Sequence, residues 1–202
     1  MNYLAHLFLA GSDKELIYGN LLEDFMHGRI EHPRNNHLSP GIKNGIRLHR
    51  TIDSFTDSHP IVKETKGLFH EALGRYDSIA VDVLYDHFLI KNWSSFTLEE
   101  FDDFRPRIYS SLREFDTLMP PRLKAMVDSM IFHDWLKAYI FDDGLRRALT
   151  GLNKKIKEGP DMTLSIPIMH KYYEVIDGQF LAFFTELKEV CDQFIIQQKN
   201  IG

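Results

Sequence analysis

The chain has 202 residues, of which 44% are hydrophobic and 26% charged, and its formal net charge is −5. This length suits one domain with a sizeable core, so we expect residues 1–202 to form a single domain, and the acidic balance argues against a general nucleic-acid-binding protein. The single cysteine, Cys191, excludes an intramolecular disulfide and a thiolate-rich zinc site, so nothing points to an oxidising compartment.

The first predicted element is a short helix over about residues 2–10, which ends at Gly11. This segment is apolar, but it lacks the basic start of a signal peptide and is interrupted by His6. No apolar run elsewhere approaches the roughly 20 residues that a membrane helix needs. We therefore expect a cytoplasmic protein without a membrane partner.

Helical periodicity continues along the chain, with no alternating pattern typical of strands. A second helix runs through KELIYGNLLEDFMH, a third through GIKNGIRLHRTIDSFTD, and a fourth follows it. A fifth, SIAVDVLYDHFLIKNW, is apolar nearly all round, so we expect it to be the central buried helix. The predicted boundaries in this half fall at glycine or proline steps: Gly28, Ser39-Pro40 and His59-Pro60.

The second half also reads as helix. A capping box of Thr97 and Glu100 predicts the start of a sixth helix, which Pro106 should kink or divide. A seventh begins at two consecutive prolines and reaches about Phe141, and a last long helix begins near Pro167. We interpret its aromatic residues as core: Phe180, Phe183 and Phe184. The predicted fold is an all-α bundle of about eight helices.

Polar residues at helical spacing inside apolar stripes are the main functional signal. Each set repeats at four residues: Asn2/His6, Asn20/Asp24, His49/Asp53/Asp57 and Asp82/Asp86, with His87 directly after the last. A buried imidazole or carboxylate must be paired or must bind something. Taken singly, Asn2 and Asp57 fit helix caps, Asp53 fits an ion pair with a neighbouring arginine, and His6 and Asn20 fit satisfied core residues. Because four helices would need such explanations at once, we predict one shared polar site.

The third helix carries a basic flank beside its polar row. On a helical wheel, His49 and Asp53 share a stripe with the buried isoleucines, and three cations occupy the adjoining flank: Lys43, Arg47 and Arg50. This arrangement predicts a buried His/Asp row beside an edge that attracts an anionic substrate.

The donor types indicate the chemistry. Imidazole and carboxylate without thiolate suit Mn²⁺, Mg²⁺ or Fe²⁺ better than structural zinc. Such an ion activates water and clamps phosphoryl oxygens, and the basic flank would balance phosphate charge. The chain contains no Walker A loop, G-x-S-x-G elbow, H-E-x-x-H motif or dinucleotide fingerprint. The pattern therefore favours metal-assisted phosphoester hydrolysis.

Four ordered segments resemble the acyl-carrier-protein phosphodiesterase family over roughly the first 95 residues: NYLAHLFLAG, GNLLEDF, GIRLHRTIDSFTD and VDVLYDHFLIKNW. The resemblance implies an all-helical hydrolase related to the HD-type phosphohydrolases. It also implies that Mn²⁺ serves as cofactor and that the substrate is holo acyl carrier protein, from whose serine 4'-phosphopantetheine is cleaved.

The resemblance also implies site residues. Those expected to be catalytic are Asp24, His49, Asp53 and His87. Those expected to bind metal are Asp24, His49, Asp53, Asp86, His87 and His6, while Asn20, Asp57 and Asp82 are second choices. The HD-type motif has His before Asp, whereas Asp86-His87 reverses that order. A literal His133-Asp134 lies outside the matched segments, and we interpret it as an amphipathic helix position.

Acyl carrier proteins are strongly acidic, so the basic edge of Lys43, Arg47 and Arg50 is a predicted docking surface that Arg29 and Arg34 would extend. Three alternatives remain open at this point. The first is a phosphohydrolase that acts on a nucleotide or another small phosphoester. The second is a non-catalytic module that binds acyl carrier protein, and the third is a structural helical protein whose polar rows are ion pairs.

Overall fold

The computed structural model describes residues 1–156 and 158–201, without the side chains of residues 199 and 201. All regular structure in this part of the chain is helical, which confirms the predicted all-α class. The α-helices are α1 Tyr3–Leu9, α2 Lys14–Leu22, α3 Pro40–Ser58, α4 Pro60–Leu73, α5 Asp77–Lys91, α6 Trp93–Phe96, α7 Phe101–Arg113, α8 Pro121–Phe132, α9 Trp135–Ala138, α10 Asp142–Asn153, α11 Ser165–Lys171 and α12 Tyr173–Ile201. Short 3₁₀ turns cover Glu23–Phe25, Pro33–Asn35, Gly74–Tyr76 and Met162–Leu164.

The start of α3 agrees with the predicted boundary. Ser39 is its N-cap and accepts a hydrogen bond from the backbone N–H of Ile42 at 3.1 Å, and Pro40 occupies the first helical position. By contrast, α2 ends at Leu22, and a 3₁₀ turn carries Glu23 and Asp24. The carboxylate of Asp24 is therefore presented from a tighter turn than the predicted continuous helix.

Two predictions about the second half were wrong. Thr97 does not cap α7, because its hydroxyl accepts from the N–H of Glu99 at 3.1 Å instead. Pro106 lies inside α7 without dividing it, so a kink at Pro106 stays a prediction. The predicted seventh helix ends at Phe132, since Asp134 has a left-handed φ of 45° that interrupts the helix. Tyr109 donates to the Asp134 carboxylate at 2.8 Å, which places Asp134 outside the polar site, as expected.

The core surrounds α5 and α12. Phe88 on α5 is fully buried, and so are the predicted core aromatics of α12: Phe180, Phe183 and Phe184. The long α12 packs on α3, α4 and α5, and α1 lies against α2 and α5. Within the described residues, no helix combines the length and the apolarity that crossing a bilayer requires.

The α2–α3 pair forms the most extensive helix–helix contact in the part of the chain that the structure describes. Gly19 and Gly45 meet at the crossing, where a Cβ added to Gly45 would lie 2.8 Å from the Cα of Gly19. This backbone-to-backbone approach brings Asn20, the next residue of α2, against His49, which lies one turn after Gly45 on α3.

Candidate metal centre

The position of α1 is fixed from another helix. Both carboxylate oxygens of the fully buried Asp86 accept backbone hydrogen bonds at 3.0 Å, from the N–H groups of Leu4 and Ala5. Asn2 is the N-cap residue, but its side chain makes no capping bond and donates to the hydroxyl of Tyr139 at 2.9 Å instead. Asp86 therefore satisfies two free N–H groups of the first turn and holds α1, with His6, against the rest of the site.

Three side chains from α1 and α3 converge on one point. His6 Nε2 lies 3.1 Å from Asp53 Oδ1, and His49 Nε2 lies 3.0 Å from Asp53 Oδ2. The two imidazole rings stack with centroids 4.0 Å apart. Each of the three residues offers a ligand atom within 4.8 Å of the others, so together they form a group that can hold a metal ion.

Asn20 sets the orientation of both rings. Its side-chain Nδ2 donates to the carbonyl of His6 at 3.0 Å, so its Oδ1 is the atom that faces His6 Nδ1 at 2.9 Å. His49 Nδ1 lies 2.8 Å from the backbone carbonyl of Asn20. These partners only accept, so each Nδ1 carries a hydrogen, and each Nε2 is the atom directed toward Asp53. A buried partner on Nδ1 is the usual support of a metal-binding histidine.

Substitution of Asn20 by alanine is expected to weaken Mn²⁺ binding by roughly 10–100-fold, because His6 Nδ1 loses the side-chain acceptor that orients its ring, whereas His49 keeps the backbone carbonyl at this position. Calorimetric titration with Mn²⁺ measures this effect. Asn35→Ala is the matched control, since Asn35 is another buried amide and donates to the carbonyls of Arg29 and Ile30, both at 3.1 Å, away from the histidines. Equal loss of affinity in both variants would contradict the role of Asn20.

The charges of the group are interdependent. Burial lowers the pKa of His6 to about 4, with the neighbouring His49 acting in the same direction. Burial also opposes ionisation of Asp53, but its bond to His49 and its contact with His6 outweigh this and lower the Asp53 pKa. For His49, burial is outweighed by the bond to Asp53, and its pKa is raised. A neutral His6 and an ionised Asp53 thus place two electron-pair donors 3.1 Å apart, an arrangement that a cation between them stabilises.

Asp24 and Asp82 border the same pocket. The Asp24 Oδ1 lies 3.7 Å from His49 Nε2, and burial raises the pKa of Asp24. The amino group of Met1 lies 3.2 Å from Asp82 and 3.6 Å from Asp53. The sequence therefore correctly predicted that residues from four helical segments meet, although Asp24 and Asp82 are farther from the centre than the two histidines.

His87 and Asp57 do not join this group. His87 Nδ1 lies 2.9 Å from the carbonyl of Tyr139, and its Nε2 lies 2.8 Å from the hydroxyl of Tyr173, so both ring nitrogens are engaged elsewhere. Asp57 is exposed and pairs with Lys66 at 3.3 Å. The predicted metal role of Asp86 and both predicted roles of His87 therefore do not fit the structure, because hydrogen bonds to other parts of the fold occupy these side chains.

The predicted basic edge is partly neutralised. Arg47 pairs with Glu31, and Arg50 Nε donates to Glu23 at 2.8 Å. In the part of the chain that the structure describes, Lys43 forms no ion pair. The edge therefore carries less free positive charge than the sequence indicated.

The pocket also has an apolar part, which the sequence did not predict. Ile79 and Val83 of α5 and Leu152 of α10 line it together with Tyr3, beside His6 and Asp24. An isolated leucine far along the chain from the polar rows gives no sequence signal, and only the packing of α10 on α5 brings Leu152 to this place.

Comparison with known proteins identifies relatives along most of the chain. The model of the acyl carrier protein phosphodiesterase family matches residues 1–187. An acyl carrier protein phosphodiesterase of Escherichia coli O45:K1 is 30% identical over 194 residues, which are 94% of this chain and 96% of the relative. Another, of Yersinia enterocolitica serotype O:8, is 31% identical over 185 residues, or 91% and 94% of the two chains. No solved structure matches the chain, so the relation to HD-type hydrolases stays a prediction.

Proposed function

The chain belongs to the acyl carrier protein phosphodiesterase family, and we propose that it hydrolyses the phosphodiester linking 4'-phosphopantetheine to the serine of holo acyl carrier protein. The oxygen of water bonds to phosphorus and loses a proton, the bond between phosphorus and the serine oxygen breaks, and the serine oxygen takes up a proton. The products are 4'-phosphopantetheine and the apo-protein with a free serine hydroxyl. The observation that carries this proposal is the convergence of His6, His49 and Asp53, with their Nε2 and carboxylate oxygens 3.0–3.1 Å apart.

We assign His6, His49 and Asp53 as the residues that would hold a divalent cation, with Mn²⁺ as the proposed ion and Mg²⁺ or Fe²⁺ as alternatives. The donor set fits, because imidazole nitrogen and carboxylate oxygen without thiolate are suited to these ions. When bound, the cation lowers the pKa of water and offsets charge on phosphoryl oxygens. Asn20 and Asp86 support the set by fixing the histidine rings and the start of α1.

Asp24 is the proposed proton acceptor for the attacking water. It borders the pocket with a partly exposed carboxylate, 3.7 Å from the nearest histidine nitrogen, so it is placed to meet the substrate beside the cation ligands. Tyr3 lines the same pocket, and burial raises its pKa to about 12, so its hydroxyl stays protonated. We propose that Tyr3 donates a hydrogen bond to the leaving serine oxygen, the role that His87 cannot fill from its position.

Mass spectrometry tests the proposal directly. Holo acyl carrier protein incubated with this protein and Mn²⁺ is expected to lose the mass of its prosthetic group, and Asp24→Asn is expected to lower kcat by about 100-fold, since general-base assistance is typically worth at least that much. The variant should still bind Mn²⁺. If the holo-protein stayed intact while a nucleotide or another small phosphoester was hydrolysed, the alternative of a small-molecule phosphohydrolase would be favoured. Binding of the carrier without turnover or Mn²⁺ uptake would favour the non-catalytic module.

The remaining free charge on the basic edge supports a docking role toward the acidic carrier protein. Lys43→Glu is expected to raise KM for holo acyl carrier protein severalfold at low salt, and less at high salt, because salt screens such attraction. Steady-state kinetics at two ionic strengths measure this. The matched control is Lys63→Glu, the same charge reversal beyond the other end of α3. A KM that Lys63→Glu raises as much as Lys43→Glu would contradict docking at this edge.

A further inference from the structure

One pocket joins the metal-binding group to an apolar wall. His6, Asp24 and Asp82 line one part, and Ile79, Val83 and Leu152 line the other, around a cavity of about 170 Å³. Val83 is only 5% exposed, and it follows Asp82 directly on α5. The polar and apolar parts are therefore adjacent on the same helix.

The chemistry of the proposed substrate has the same two parts. In 4'-phosphopantetheine, the phosphate ester oxygen is followed by a methylene and then by a carbon that carries two methyl groups. A hydroxyl and two amides come after it. The most apolar unit of the arm thus lies two bonds from the ester oxygen, where it must be close to any residues that hold the phosphate.

We propose that Ile79, Val83 and Leu152 form the subsite for this dimethyl unit and so select the phosphopantetheine arm over other phosphoesters. The inference rests on the proposed function, which it extends from the reacting phosphate to the group beside it. Selection by this wall is hydrophobic, because the wall contributes side-chain methyl groups and no hydrogen-bond donors. Transfer of two methyl groups from water to such a wall is expected to improve kcat/KM by about tenfold.

The test compares two carrier proteins that differ only in those methyl groups. One carries the natural arm, and the other carries an arm in which both methyls are replaced by hydrogen. The quantity measured is the ratio of kcat/KM for the two substrates on the same enzyme preparation, so that a general change in activity cancels. The wild-type ratio is expected to be about ten, and Leu152→Ala should reduce it toward one.

Two further variants secure the result. Ile79→Ala removes the wall from α5 instead of α10 and should also reduce the ratio, which covers the case that Leu152→Ala fails to fold. Leu149→Ala is the control, because Leu149 lies on α10 but is fully buried in the core, and it should keep the wild-type ratio.

The experiment distinguishes failure of the proposed function from failure of the proposed subsite. If the wild-type enzyme loaded with Mn²⁺ cleaved neither carrier, the proposed function would be overturned and this subsite with it. If it cleaved both carriers with equal efficiency, or if the wall variants kept the wild-type ratio, the subsite alone would be overturned.

Discussion

Asp53→Ala is expected to abolish Mn²⁺ binding and to lower the rate of carrier-protein cleavage by on the order of 10⁴-fold. Asp53 contacts the Nε2 atoms of both histidines, through a separate oxygen for each, at 3.1 Å and 3.0 Å. Its removal takes away a proposed ligand and a carboxylate charge that contacts both rings. A bound cation contributes several kcal/mol of transition-state stabilisation, which corresponds to a rate effect of this size, about 10⁴-fold.

Asp57→Ala is the control, because Asp57 lies one turn further along α3 and pairs with Lys66 at the surface. It should leave both Mn²⁺ affinity and turnover near the wild-type values. Melting temperatures add an independent readout, since a ligand that binds only the folded protein stabilises it. Mn²⁺ should raise the melting temperature of the wild type and of Asp57→Ala but not of Asp53→Ala. If Mn²⁺ changed none of them, the His/Asp group would be a structural ion-pair cluster.

Sequence periodicity predicted the faces of the helices well. The stripe of α3 that carries Ile42, Ile46 and His49 is buried, as the wheel indicated, and the polar rows of α1, α2 and α3 do meet. A helical wheel gives the direction of each side chain about the axis of its own helix, so it predicts which polar side chains face the core. Convergence at one point then follows from the high cost of burying them without partners.

Sequence periodicity did not predict which partner each polar residue finds. Asp82 and Asp86 lie on one stripe of α5, yet Asp82 borders the pocket while Asp86 meets the N–H groups of Leu4 and Ala5. The difference depends on where the start of α1 packs, a contact across 81 and 82 residues of sequence. His87 is the next residue on α5 and points in another direction, toward Tyr139 and Tyr173. These two partners belong to segments whose boundaries the sequence predicted least well.

Gly45→Ala is expected to destabilise the protein by roughly 3 kcal/mol, the upper range for overpacking a tight contact. A Cβ on Gly45 would lie 2.5 Å from the carbonyl oxygen of Leu16 and 2.8 Å from the backbone nitrogen of Asn20. Both are backbone atoms, so neither can rotate away, and α2 and α3 must separate. Urea denaturation of the metal-free protein measures the change in the free energy of unfolding.

Gly67→Ala is a control of the opposite sign. Gly67 is an exposed position inside α4, and a Cβ there would meet no atom within 4 Å. Alanine is favoured over glycine in a helix by about 0.8–1 kcal/mol, so this variant should be more stable than the wild type. The same substitution of glycine by alanine should therefore shift the free energy of unfolding in opposite directions at the two positions. A Gly45→Ala variant more stable than the wild type would contradict the close crossing of α2 and α3.

The same crossing links stability to the candidate metal centre. Asn20 follows Gly19 on α2, and its carbonyl lies 2.8 Å from His49 Nδ1 on α3, so separation of the two helices stretches the bond that orients this ring. Gly45→Ala should consequently weaken Mn²⁺ binding under conditions in which the protein is still folded, whereas Gly67→Ala should not. Because the glycines carry no ligand atom, this loss would arise from geometry alone. It would identify the glycine crossing as the feature that places the second ring of the metal centre.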